Sequence, residues 1–167
     1  MTNAEMTEIF AVMRLNYRNA KMFEGSMASL VPTIKLWTAT LPEVDYWTGQ
    51  QALYKLLRTC KYPPTIAEFK EAADAVASDV RQQIDNSANM LRMHAMANGK
   101  SIEEVCAEQD PDSFVQLVIV EMGGPSTMNR DNLKRWEQFA EAYYRVLQKQ
   151  STPRANIALS GGRKELT

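Results

Sequence analysis

Residues 30–69 constrain the fold more than any other stretch, because helix start and stop signals follow one another closely there. Ile34, Trp37 and Leu41 recur at three- and four-residue steps, which places them on one face of a helix. Leu41 precedes a proline, and a residue in that position is pushed out of the α region, so this helix ends there. Because a proline fits the first turn of a helix, Pro42 predicts that the next helix begins at once.

Similar signals mark the following helices. An apolar segment that contains Trp47 runs to Cys60, and a double proline at residues 63–64 then stops the chain. The sequence TIAE at residues 65–68 has the spacing of a capping box, in which a threonine hydroxyl and a glutamate carboxylate each accept the other residue's backbone N–H. An earlier capping box, TNAE, precedes an apolar stripe and predicts a helix over residues 3–17.

A single long helix is predicted over residues 65–98. Its apolar residues recur at helical spacing as far as Leu91, and Asn98-Gly99 is a C-terminal signal. Such a helix would be about 50 Å long at 1.5 Å per residue. Asn86-Ser87 is the point where a break would fall, and the far half needs a second group of helices or a partner to cover its apolar stripe.

Three further helices are expected after residue 100. SIEE at residues 101–104 is a third capping box, and Asp110-Pro111 reads as an N-cap followed by a first-turn proline. The segment FVQLVIVEM would suit a buried strand or a helix, and the absence of a second strand candidate favours a helix. Asn129 is the predicted cap of the last helix. The apolar face of that helix is predicted to comprise Leu133, Trp136, Phe139, Ala140, Tyr143 and Leu147.

The chain is therefore predicted to be all-α, with three parts. Residues 1–80 form a small helical bundle, and residues 81–150 form a C-terminal helical region, with the boundary inside the long helix near residues 80–87. Residues 151–167, STPRANIALSGGRKELT, change character, and their proline, paired glycines and polar side chains indicate a flexible tail.

Composition bounds the function. The 167 residues carry a net charge of −1, which gives no general attraction to nucleic acid or membrane. Residues 61–122 hold five basic and eleven acidic side chains, whereas residues 123–167 hold eight basic and four acidic ones. Solvated helix faces explain this asymmetry better than a charged partner does. Two cysteines without CxxC spacing, no signal peptide and no apolar run of membrane length predict a soluble protein of the cytoplasm.

Catalytic and metal chemistry are not predicted. His94 is the only histidine, so a histidine zinc site cannot be built and a serine triad would have to use this one residue. The segments GGPSTMNR and SGGRKELT lack the spacing of a phosphate-binding loop. Paired carboxylates such as Glu103 and Glu104 sit at helix starts, where they complement the helix dipole. We expect no enzyme, no cofactor and no metal.

Three features allow a binding interpretation. Met90, Met93 and Met96 on the long helix would suit an adaptable binding surface, although core packing is the favoured interpretation. Basic and aromatic residues alternate on the last helix, which would suit single-stranded nucleic acid, although core packing is again favoured. In the tail, apolar residues among basic ones favour a short linear motif that orders on binding.

Residues 5–76 resemble the N-terminal domain of the phage replicative-helicase loader/inhibitor family. The resemblance rests on the early helix ending near Tyr17, on Leu36-Trp37 with Leu41, on VDYW at residues 44–47, and above all on KYPPTIAEF at residues 61–69. The last segment is similar to that family's F/Y-P-P-T-I-x-E-I/F signature. Residues beyond 80 resemble no family that we recognise.

The resemblance implies a non-enzymatic phage adaptor. Such proteins bind the hexameric DnaB-type replicative helicase, hold it inactive, and deliver it to an origin-bound initiator protein. It also implies that the helicase contact lies toward the C-terminus, which singles out Ile157, Leu159, Arg163, Lys164 and Leu166 of the tail as partner-binding residues. Two alternatives remain open, namely a phage assembly chaperone or structural accessory protein, and a DNA-binding replication organiser, against which the net charge weighs.

Overall fold

A computed structural model describes residues 1–128 and 133–151 of the chain, except for the side chains of residues 133, 134 and 151. The described residues form helices and no strands, which confirms the all-α prediction. It divides into two compact units, of which the first is Met1–Arg81 and the second begins at Gln82. The helices are α1 (Asn3–Asn16), α2 (Val31–Thr40), α3 (Tyr46–Thr59), α4 (Ile66–Asn98), α5 (Ile102–Ala107), α6 (Phe114–Glu121) and α7 (Leu133–Ser151), with short 3-10 helices at Lys21–Phe23, Met27–Leu30 and Pro125–Thr127.

The core of the first unit is a chain of aromatic rings contributed by different helices. The ring centroids of Phe10 on α1 and Trp37 on α2 lie 5.1 Å apart, and those of Trp37 and Phe69 on α4 lie 5.4 Å apart, in edge-to-face geometry. Such pairs stabilise a core beyond the area that they bury. The apolar stripe predicted on α1 is buried throughout: Met6, Ile9, Phe10, Met13 and Tyr17.

Capping boxes begin three of the helices, as the sequence predicts. At the start of α4, the Thr65 N–H donates to a Glu68 carboxylate oxygen over 2.7 Å, and the Glu68 N–H donates to the Thr65 hydroxyl over 3.2 Å. The same reciprocal pair occurs between Thr2 and Glu5 and between Ser101 and Glu104. The hydrogen bonds from Thr65 hold the pKa of Glu68 below its usual value.

We expect Thr65→Ala to lower the free energy of unfolding of the first unit by about 1 kcal/mol, because it leaves a backbone N–H at the start of α4 without its acceptor. Urea unfolding followed by circular dichroism measures the change. Thr40→Ala is the matched control, since the Thr40 hydroxyl donates only to the carbonyl of Leu36 in its own helix. Equal losses in the two variants would contradict the capping role.

The two proline-based predictions of helix starts are wrong by about one turn. Pro42 does not lie in the first turn of α3. The helix begins after Asp45, whose carboxylate accepts the Thr48 N–H over 3.0 Å and the Thr48 hydroxyl over 2.6 Å. The proline instead lies in the turn between α2 and the cap. Proline fits a turn as well as a helix start, and the better capping side chain decides where α3 begins.

The same shift occurs before α6. The sequence predicts Asp110 as the cap of this helix, but its carboxylate accepts the N–H of Asp112 within a turn. The cap is Ser113, whose hydroxyl accepts the Gln116 N–H over 3.2 Å. The choice of helix over strand for this segment is confirmed.

The long helix α4 is continuous through Asn86 and Ser87, so no break falls there. It ends at Gly99, whose φ of +62° is a left-handed conformation that glycine adopts without strain. The N–H of Lys100 donates back to the carbonyl of Ala95 over 3.0 Å and closes the last turn. In the described residues, no helix combines the length and the low polarity that crossing a membrane requires.

The second unit has its own apolar core. Phe139 and Tyr143 of α7 are buried, and the ring centroids of Tyr143 and Phe114 of α6 lie 4.6 Å apart. Of the predicted face of α7, Trp136, Ala140 and Leu147 are half-buried. Ala142 and Val146, which the prediction omits, are buried. The other fully buried side chains of this unit include Val105, Cys106, Val118 and Ile119.

Candidate protein-binding site

The reactive side chains of the described residues are dispersed. His94 is exposed on α4. Cys60 is a half-buried free thiol, and Cys106 is a buried one, where burial raises the thiol pKa to about 11. Among residues 1–128 and the described part of α7, no three or more histidine, cysteine, aspartate or glutamate side chains are grouped so as to hold a metal ion.

The far half of α4 displays three methionines to solvent. Met90, Met93 and Met96 are 74%, 66% and 63% exposed. The favoured interpretation of these residues as core is therefore wrong, and the alternative of a binding surface fits their exposure. Another stripe of the same helix packs inward, and its buried members are Ile84, Ala88, Leu91 and Ala95.

Two of these methionines border a groove of about 500 Å³ inside the second unit, which we call the methionine groove. Met90 and Met93 line it from α4, Gln109 from the segment before α6, and Val115 from the first turn of α6. Flexible thioethers adapt to partners of different shape, so a groove of this kind suits an apolar peptide. The full lining is Ser87, Met90, Leu91, Met93, His94, Gln109 and Val115.

The stretch of sequence that contains the groove-lining residues is acidic in composition. Residues 82–122 carry seven acidic and two basic side chains. One of the two basic residues, Lys100, is paired with Glu108 at 2.6 Å. Asp110 and Asp112 lie close to the groove-lining Gln109 in sequence, in the loop before α6. The residues that line the groove include no acidic side chain, so its match to a peptide is an apolar one.

A second groove, of about 510 Å³, lies in the first unit and is not predicted by the sequence. Leu15 on α1 is 66% exposed beside it, and Arg14 and Arg18 border it. Phe23 and Met27 complete the lining with Ala11. The sequence feature that could have indicated this groove is Leu15, an apolar residue that lies outside the buried stripe of α1.

Two basic residues in the second half of α7 contact a carboxylate of the second unit. Arg145 and Lys149 both contact the carboxylate of Glu121, at 3.3 and 2.6 Å, and these contacts hold the pKa of Glu121 below its usual value. The aromatic residues Phe139 and Tyr143 are buried, which supports core packing over base stacking for this helix. The guanidinium of Arg92 lies over the ring of Trp136, 4.0 Å from its centroid.

The predicted partner-binding residues Ile157, Leu159, Arg163, Lys164 and Leu166 lie outside the described residues. The predicted cap of α7, Asn129, lies outside them as well. Their assignments stay predictions from the sequence.

Residues 1–70 match the family model of the phage gene 39 protein, helicase loader/inhibitor N-terminal domain. This match confirms the resemblance to the phage helicase loader/inhibitor family for the first unit. No curated protein and no solved structure matches the chain. The matched part contains the aromatic core of Phe10, Trp37 and Phe69 and ends soon after the capping box that starts α4.

Proposed function

We propose, from the premise that residues 1–70 match the N-terminal domain of a phage helicase loader/inhibitor family, that this chain is a phage DNA-replication adaptor. It binds a hexameric DnaB-type replicative helicase in the cytoplasm of the host, keeps the helicase inactive and helps to load it at the origin. An origin-binding initiator protein is its second partner. The family match is the observation that carries this proposal.

The first unit serves as the folded body of the adaptor. The residues that carry the family resemblance are structural here: Trp37 and Phe69 are buried in the aromatic core, and Thr65 and Glu68 cap α4. The two rings leave almost no surface for a partner, and the two capping side chains are engaged with each other. We therefore assign the helicase contact to the other end of the chain.

The contact with the helicase comes from the C-terminal region, through Ile157, Leu159, Arg163, Lys164 and Leu166, and from the exposed methionines of α4. The support is chemical, since the C-terminal sequence combines apolar and basic side chains and the methionine groove is apolar. An adaptor of this kind bridges neighbouring subunits of a ring and is released by displacement. Release by displacement requires no hydrolysis by the adaptor itself.

Size-exclusion chromatography with light scattering tests the proposal, using the full-length chain and the host's DnaB-type helicase, with and without nucleotide. We expect the wild-type chain to co-elute with the helicase hexamer. We expect Ile157→Glu/Leu159→Glu to weaken binding at least tenfold, about 1.4 kcal/mol, because charged side chains replace the apolar contacts. Asn156→Glu/Ser160→Glu is the matched control, because it adds the same charge to the same segment and keeps both apolar residues.

The possible outcomes distinguish whether the chain binds the helicase at all from where on the chain the contact lies. Equal weakening by both double variants would assign the loss to charge and would contradict apolar contacts at residues 157 and 159. Unchanged binding of both would move the contact to the helices, where Met90→Glu/Met93→Glu becomes the decisive variant. If the wild-type chain does not bind the helicase under either nucleotide condition, the adaptor proposal is wrong and the assembly-chaperone alternative takes its place.

A further inference from the structure

The groove of about 510 Å³ in the first unit combines apolar side chains with two arginines, and we call it the arginine groove. The last two turns of α1 contribute one wall, and the turn that follows α1 contributes Arg18. Two short 3-10 helices contribute Phe23 and Met27. The residues of α1 that line the groove are Ala11, Arg14 and Leu15.

The arginine groove is held in shape by contacts within the first unit. Phe23 is buried, and its ring packs edge-to-face against Phe10 of the aromatic core, with the centroids 6.4 Å apart. The guanidinium of Arg14 donates to the carbonyl of Gly25 and so ties the connection after α1 to the helix itself. A groove that is formed before a ligand arrives saves the ligand the cost of ordering it.

The apolar part of this groove is open to solvent. Leu15 is 66% exposed on its wall, and Met27 is half-buried. A large exposed apolar side chain beside a concave surface is typical of an interaction site, because an occupant with apolar side chains removes it from water.

The charges that line the groove are positive and have no carboxylate partner. The lining contains Arg14 and Arg18 and no acidic residue, and residues 11–27 carry three basic side chains and one acidic one. Five other basic side chains form salt bridges, but neither of these arginines does so with any described residue. Arg14 is half-buried, and its contact with Gly25 uses only part of a guanidinium fork that matches a carboxylate.

This lining favours a peptide over a nucleic acid. Single-stranded nucleic acid binds through basic side chains together with aromatic rings on which its bases stack. Phe23 is the one ring in the lining, and it is 3% exposed, so it offers no face to a base. A peptide satisfies both parts of the groove, since its apolar side chains cover the apolar wall and its carboxylates pair with the arginines.

We propose that the arginine groove binds a segment of a partner protein in which apolar side chains are flanked by aspartate or glutamate. The apolar side chains pack against Leu15 and Met27, and the carboxylates pair with Arg14 and Arg18. This surface lies in the first unit, apart from the C-terminal residues to which the helicase contact is assigned. It therefore gives the chain a second recognition surface with its own specificity.

Selection from a phage-displayed library of random peptides tests the proposal, with the full-length chain as the only target. We expect wild-type chain to enrich peptides that combine apolar residues with aspartate or glutamate, and Leu15→Glu to enrich none of them, because a charge then replaces the apolar wall. Leu15 is exposed, so this variant keeps its fold, which circular dichroism checks.

Fluorescence anisotropy of one enriched peptide, labelled with fluorescein, then measures the contribution of charge. We expect Arg18→Glu to weaken binding about tenfold, because an attraction to the peptide carboxylates becomes a repulsion. Arg58→Glu is the matched control, since it makes the same change at an exposed arginine of the same unit outside the groove lining. It should change the affinity by less than about twofold at physiological salt.

Three results would overturn the proposal. The first is that no enriched peptide depends on Leu15, or that those that do lack acidic residues. The second is that a single-stranded oligonucleotide binds and displaces the peptide, which would make nucleic acid the occupant. The third is a dimer in light scattering that Leu15→Glu dissociates, which would make a second copy of the chain the occupant. No helicase is present in these experiments, so their result is independent of the adaptor proposal.

Discussion

Replacing Phe10 with alanine should lower the free energy of unfolding of the first unit by about 3–5 kcal/mol, the usual cost of removing a buried phenylalanine side chain. Phe10 has no accessible surface, and its ring contacts those of Phe23 and Trp37 at centroid distances of 6.4 and 5.1 Å. Three elements of the first unit meet at this ring. The cavity left by alanine cannot be filled by one neighbour without breaking its contact with another.

Amide hydrogen exchange measures this loss within α1, α2 and α3, so that the first unit is observed separately from the second. Leu15→Ala is the matched control on the same helix, because 66% of the Leu15 side chain is exposed and its truncation should change the free energy by about 0.5 kcal/mol or less. If Phe10→Ala cost no more than Leu15→Ala, the aromatic core would not be the source of stability that its burial indicates.

The sequence predicts helix starts in both units well where the signals are local. A capping box needs only a hydroxyl and a carboxylate three residues apart, and the three predicted boxes at Thr2, Thr65 and Ser101 are all present. The two errors in helix starts have a common cause. Pro42 and Pro111 are each followed by a stronger capping residue, and proline by itself does not distinguish a turn from the first turn of a helix.

The methionine surface is harder to predict because α4 carries two apolar stripes. Met90 and Met93 are large and apolar, whereas the buried residues of that segment include Ala88 and Ala95. Hydrophobicity ranks the methionines above the alanines, but small side chains are buried where helices approach closely. The buried residues Ile84, Leu91 and Ala95 continue, at helical spacing, the buried stripe that begins at Phe69. The periodicity along the whole of α4 therefore indicates the inward stripe, and the apolar character of the methionines alone misleads.

The residues that match the family and the exposed methionines lie in different parts of the chain. The matched residues 1–70 contribute buried aromatic rings and helix caps. The exposed methionines and the C-terminal segment lie beyond the match. The family match therefore does not cover these exposed residues, and the proposed helicase contact has to be tested on this chain directly.

Alkaline pH should destabilise the second unit through Cys106. This thiol is fully buried, and burial raises its pKa from 9.0 to about 11. Between these values the unfolded chain releases the thiol proton and the folded chain retains it. The stability that the neutral thiol provides is therefore fully present below pH 9 and is lost as the pH rises through about 11. At pH 10.5 the loss should be about 2 kcal/mol relative to neutral pH.

Comparison with Cys106→Ala isolates this effect from other titrations. At pH 7.5 the variant should be less stable than the wild-type chain by on the order of 1 kcal/mol, because it leaves a small cavity. At pH 10.5 the wild-type chain has lost about 2 kcal/mol that the variant cannot lose, so the order of stability should reverse. Urea unfolding followed by hydrogen exchange in α5 and α6 measures the difference at each pH. If the wild-type chain and Cys106→Ala differed in free energy of unfolding by the same amount at both pH values, the prediction would be wrong. The Cys106 thiol would then ionise as readily in the folded chain as in the unfolded one.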